Sequence, residues 1–83
     1  MFHKIKSVIT LPNYVLLITF ENNKTKYYDV KCIWEKWEDF KMLINIDVLF
    51  DQVKVDVGGY GISWNDDLDL SCEELWINGK EEE

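Results

Sequence analysis

The sequence predicts an α+β fold in a single domain over residues 1–83: a three-stranded antiparallel meander, short helices, a second β-hairpin and a short C-terminal helix. Three features carry that expectation. Residues 4–30 and 52–64 run in β-branched or alternating apolar and polar side chains between turn signals. Residues 32–50 lose that alternation. Ser71, Cys72, Glu73 and Glu74 match a helix capping box.

The first strand is expected over Lys4–Leu11, closed by the turn pair Pro12 and Asn13. Tyr14–Glu21 follows with Tyr14, Leu16, Ile18 and Phe20 on one face and Val15 and Leu17 on the other, the pattern of a central strand buried on much of both faces. Asn22 and Asn23 can adopt the positive φ angles of a tight turn, and Lys24–Val30 reads as the returning strand.

In residues 32–50, Phe40, Leu43 and Ile44 share one helical face and Ile46, Leu49 and Phe50 another, which suits one or two short helices. Val53, Val55 and Val57 alternate with Gln52, Lys54 and Asp56, predicting a half-buried strand. Gly58 and Gly59 permit a sharp reversal into a strand over Tyr60–Trp64. Asn65, Asp66 and Asp67 form a turn. In the capping box the Ser71 hydroxyl is expected to accept a backbone N–H while Glu74 reaches back, opening a helix that stops near Asn78 and Gly79. Residues 80–83 read as a frayed tail.

Eighty-three residues limit the chain to one core of modest stability, and 47% apolar residues with four Trp, four Tyr and four Phe suffice to build it. No apolar run is long enough to span a bilayer and no signal-peptide layout opens the chain, so a cytoplasmic protein without a membrane partner is expected. Cys32 and Cys72 are too few for a disulfide framework and read as free, partly buried thiols.

Net charge is −7, from nine Lys and sixteen acids without any Arg. Residues 1–41 hold seven Lys and five acids, whereas residues 42–83 hold two Lys and eleven acids, a net −9. Direct nucleic-acid binding, which relies on clustered cations, is therefore not expected. An acidic face favours a basic protein partner or a cation, although the same charge also keeps a small protein soluble.

Asp66, Asp67, Asp69, Glu73 and Glu74 crowd one short segment, but Leu68 and Leu70 interrupt it and the Ca²⁺-loop spacing is absent; a turn followed by a helix cap accounts for it. His3 is the sole histidine, so no two-His or His–Cys metal site can form within one chain, and an exposed imidazole near the terminus is the plain expectation. The glycines at 58, 59 and 61 lie between strands and lack the context of a phosphate loop. Trp34, Trp37, Trp64 and Trp76 are core candidates, with Trp34 and Trp37 the alternative of an exposed aromatic patch. No catalytic set and no cofactor site emerge.

The segment Val53–Trp76, together with His3–Val8, Leu11–Tyr14 and Tyr28–Val30, resembles the bacterial domain-of-unknown-function 2442 family. That resemblance implies a small α+β domain, found alone or joined to a helix-turn-helix segment, with genes often beside another small family of unknown function. Such gene pairs suggest a toxin–antitoxin-like or regulatory partnership. The few residues after Gly79 leave no room for a helix-turn-helix, so the DNA-binding role of fused relatives is not expected here. The resemblance implies no catalytic residues.

The expectation is a non-catalytic interaction or regulatory module whose edge from Trp64 to Glu74 docks a more basic protein; a homodimer is left open. The alternative is a domain sensing a small ligand or cation. Tyr60, Trp64, Asn65, Asp66, Asp67 and Asp69 are the candidate site residues for the two readings together.

Overall fold

The computed structural model describes residues 2–46 and 48–81. Strands β1 (Ile5–Leu11), β2 (Val15–Phe20) and β3 (Thr25–Asp29) form the expected meander, and a fourth strand from the chain end, described below, extends this sheet beyond β3. A second antiparallel sheet holds β4 (Lys54–Val55), β5 (Gly61–Ser63) and β6 (Asp69–Ser71). One α-helical turn, α1 (Met42–Asn45), lies in the middle segment, and α2 (Cys72–Asn78) follows β6.

Local chemistry makes the first two turns. Asn13 and Tyr14 take φ of 65° and 60°, and Asn23 takes 69°. Asparagine tolerates that region, but tyrosine there costs about 1–2 kcal/mol. The Tyr14 ring offsets it by packing edge-on against Trp34 and Phe50 at 5.6 and 5.2 Å. On β2, Leu16, Ile18 and Phe20 are fully buried, whereas Val15 and Leu17 are only half-buried. The second face of that strand therefore lacks the cover its sequence anticipates.

The middle segment is shorter in its helices than expected. It runs as 3-10 turns at Val30–Ile33, Glu38–Lys41 and Phe50–Gln52, with α1 between the last two. Phe40 and Leu43 enter the core as their spacing foretold, but Ile44 remains 40% exposed because a single α-turn can bury only one stripe, and Ile46, extended just past α1, is 46% exposed. Trp34 places its indole N–H out of solvent without a partner among the described residues. An unmet buried donor costs about 1–3 kcal/mol. Trp34→Phe is therefore expected to leave thermal stability unchanged or raise it slightly, as a melting curve would show.

Three further expectations need correction. Gln52–Val57 is not one strand: only Lys54 and Val55 pair, because the reversal begins at Asp56, whose carbonyl accepts the Gly59 N–H at 2.9 Å. Val53 and Val55 still pack on the core, while Val57 in the turn is 98% exposed. Tyr60 likewise belongs to that turn, and β5 starts at Gly61. Nor is the tail frayed throughout, since Lys80 and Glu81 form the fourth strand of the first sheet, β7 (Lys80–Glu81), pairing with Tyr27 and Lys26.

One buried cluster joins all parts. Ile5, Leu16, Ile18, Phe20 and Tyr28 come from the first sheet, Ile62 and Leu70 from the second, and Cys72 and Leu75 from α2. Each such side chain contributes roughly 1.5–3 kcal/mol by leaving water. Cys72 is buried as expected, but Cys32 is exposed.

Candidate functional site

Trp64, expected at the binding edge, lies 5% exposed in the core. Its indole Nε1 donates to the Phe50 carbonyl at 2.9 Å, and its ring meets Phe40 edge-on at 5.8 Å. Tyr60 sits at the opposite end of β5, about 13 Å away along an extended chain. There its ring packs on Phe2 and lies beneath the Lys4 ammonium. Tyr60 and the acidic turn therefore do not form one site around the glycine hairpin.

Asn65 has a structural task. Its side-chain oxygen accepts the N–H groups of Asp67 and Leu68, each at 2.9 Å, while the Trp64 N–H donates to the Leu68 carbonyl. Leu68 is fully buried. This pinned turn fixes Asp67 and Asp69 on either side of Leu68 and leaves both exposed; Asp66, also exposed, does not line the cleft they border.

That cleft, about 300 Å³, is lined by Trp37, Asp39, Phe40, Asp67 and Asp69. Phe40 forms a buried floor against Trp64, and Trp37, 39% exposed, forms a wall. The Trp37 N–H donates to the Ile33 carbonyl at 2.8 Å, and the Trp37 carbonyl accepts the Phe40 N–H, which sets the wall upright. The Lys36 ammonium lies 4.8 Å from the Trp37 ring centroid. Among the described residues, none of the three carboxylates has an ion-pair or hydrogen-bond partner for its side chain. The arrangement suits an incoming ammonium or guanidinium, which finds negative charge and an aromatic face together. Among the described residues no three His, Cys, Asp or Glu side chains converge closely enough to hold a metal ion.

The sequence offered the acidic edge and the Trp34–Trp37 patch as separate features; folding joins Trp37 and Asp39 to Asp67 and Asp69. Trp34 instead turns toward Tyr14.

A larger groove of about 470 Å³ runs beside Tyr28, Cys32, Lys36, Glu74 and Lys80. Its charges are mostly satisfied internally. Glu74 does not reach back to close the capping box; one of its oxygens accepts from the Tyr28 hydroxyl at 2.9 Å and from the Asn78 amide at 2.8 Å. Ser71 alone caps α2, accepting the Glu74 N–H at 3.1 Å. Burial first, and the bond to Glu74 second, push the Tyr28 phenol above its ordinary pKa, so it remains a donor.

His3 is not a loose exposed imidazole. Its ring stacks on Trp76 at 3.8 Å with a 4° interplanar angle, and its Nδ1 lies 3.1 Å from Glu73. The His3 backbone N–H also donates to Glu73 at 2.8 Å, and the Lys26 ammonium lies 4.2 Å from the Trp76 ring centroid. That backbone bond first, and the imidazole second, hold the Glu73 carboxyl below its usual 4.5. A depressed folded-state pKa means stability that is present above 4.5 and is lost as pH falls through the folded value. Glu73→Gln is expected to lower the neutral plateau of a melting-temperature profile slightly and to flatten the acid limb below that pH, because the contribution it removes exists only above it.

Comparison with known proteins gives one match: a family model described as "Protein of unknown function (DUF2442)" covers residues 5–81. No curated protein matches the chain. No solved structure matches it either.

Proposed function

The chain belongs to the DUF2442 family of proteins of unknown function, and on that footing we propose that it is a non-catalytic interaction module whose acidic, tryptophan-walled cleft docks a basic segment of another protein. The observation that carries this reading is the set of Asp39, Asp67 and Asp69 carboxylates around Trp37, unpartnered among the described residues. The chain's own Lys36 already occupies one side of that ring, the same pairing a partner's lysine or arginine would make. A small basic protein of the cytoplasm, as in a toxin–antitoxin-like pair, has the chemistry to fill it.

The test is affinity capture from the host lysate at low and moderate salt. Asp67→Lys combined with Asp69→Lys reverses charge inside the cleft, whereas Asp66→Lys makes the same kind of change just outside it. Capture of a basic protein by wild type and Asp66→Lys, lost in the double variant and weakened by salt, is the expected outcome. Equal capture by all three would remove the cleft from consideration.

A second reading, small-ligand sensing, is favoured by the size of the groove beside Tyr28. A thermal-shift panel of metabolites tests it, and a flat panel counts against it.

A further inference from the structure

We propose that the outer face of the first sheet is the interface of a homodimer. The strand registers place Ser7, Ile9 and Leu11 of β1, Val15, Leu17 and Thr19 of β2, and Thr25, Tyr27 and Asp29 of β3 on one side of the sheet. Lys80 of β7 joins them opposite Tyr27. Ile9, Leu17 and Tyr27 form one cross-strand row and Leu11 and Val15 begin the next, so five apolar side chains are contiguous. None of the five belongs to the buried core or packs against it, and Ile9 is 53% exposed. A strand apolar on both faces, as β2 is, normally has cover on both.

Charge selects a second copy as that cover. The chain carries −7 overall, which repels another copy from most directions and draws basic proteins instead. This face carries one acid, Asp29, which is ion-paired with Lys31 at 2.9 Å, and one base, Lys80, so it presents no unpaired acid. An apolar face without an unpaired acid gives a cationic partner no hold, and it lets two acidic copies approach with less repulsion than an acidic face would. Such a pairing is isologous, with Leu17 at the centre of the patch on or beside the two-fold axis.

Size sets the strength. Four strands about 4.8 Å apart and five residues of about 3.3 Å rise give a footprint near 19 by 17 Å. Counting side-chain relief, each copy would bury roughly 400–500 Å², which is the size of a weak, transient interface. The dimer is accordingly weak and concentration-dependent.

Sedimentation velocity on the full chain from about 10 µM to 1 mM tests the proposal. Wild type is expected to pass from one chain mass to two across that range. Leu17→Lys, which sets two like charges near the axis, is expected to weaken dimerisation about a hundredfold and so shift the transition to the top of that range or beyond it. Because Leu17 is half-buried, Ile9→Lys serves as a second variant at an exposed position and is expected to act in the same direction. The Asp67→Lys and Asp69→Lys double variant should dimerise as wild type does, which separates this interface from the cleft. A wild-type monomer at every concentration, or folded Leu17→Lys and Ile9→Lys proteins that dimerise normally, would overturn the proposal.

Discussion

Trp64→Ala is expected to destabilise the domain by about 3–5 kcal/mol, the range for removing a large buried aromatic side chain. A domain of this size has about 5–15 kcal/mol in all, so the variant would be partly unfolded at room temperature or close to it. Trp64→Phe separates the two roles of the indole. It keeps a ring near Phe40 and Phe50 but removes the donor that meets the Phe50 carbonyl at 2.9 Å. Leaving that acceptor unpaired costs about 1–3 kcal/mol. Urea denaturation followed by circular dichroism should rank wild type above Trp64→Phe and Trp64→Phe above Trp64→Ala. Trp64 would then support the cleft floor without contacting what binds there. A Trp64→Ala protein as stable as wild type would contradict the core assignment.

Gly59→Ala should be comparably damaging, for a different reason. Gly59 has φ of +79°, and a Cβ there would lie 2.6 Å from the Ile5 carbonyl oxygen and 3.1 Å from the Ile5 nitrogen. The left-handed conformation alone costs about 1–2 kcal/mol, and neither contacting atom can withdraw, because both belong to the backbone of β1. A total of about 3 kcal/mol or more follows. Gly58 provides the contrast. Its φ is +84°, but an added Cβ would meet only the Tyr60 ring, at 2.8 Å, and that half-exposed side chain can swing away. Gly58→Asn, with a residue that tolerates positive φ, should lower the melting temperature only slightly, whereas Gly59→Ala should lower it by at least ten degrees or so. Equal melting temperatures for the two would argue against the close approach of the 58–59 turn to β1.

Local rules made much of this fold legible. Asn23 and the Ser71 hydroxyl act within a few residues of themselves, so turn and cap chemistry could place them. What stayed hidden depends on partners far along the chain. Glu74 meets Tyr28, Glu73 meets His3, and Lys80 meets Tyr27, contacts that periodicity and capping rules cannot express. The valine alternation from 53 to 57 was a true signal of a core-facing side for Val53 and Val55, but the turn at Asp56 cut the strand short. At the cleft, the acids at 67 and 69 could be read from the charge imbalance. Trp64 outranked Trp37 as the aromatic member only because it adjoins those acids in sequence, and the fold reverses that order by burying Trp64 and leaving Trp37 at the wall.

The most direct measurement is a titration of ¹⁵N-labelled protein with a short lysine- and arginine-rich peptide, following the four tryptophan indole signals. The Trp37 signal is expected to move most, that of Trp76, which stacks on His3 and does not line the cleft, to stay in place, and Asp67→Lys with Asp69→Lys to suppress the shift. A largest shift at Trp76, or a Trp37 shift that survives the charge reversal, would contradict the acidic cleft as the docking site.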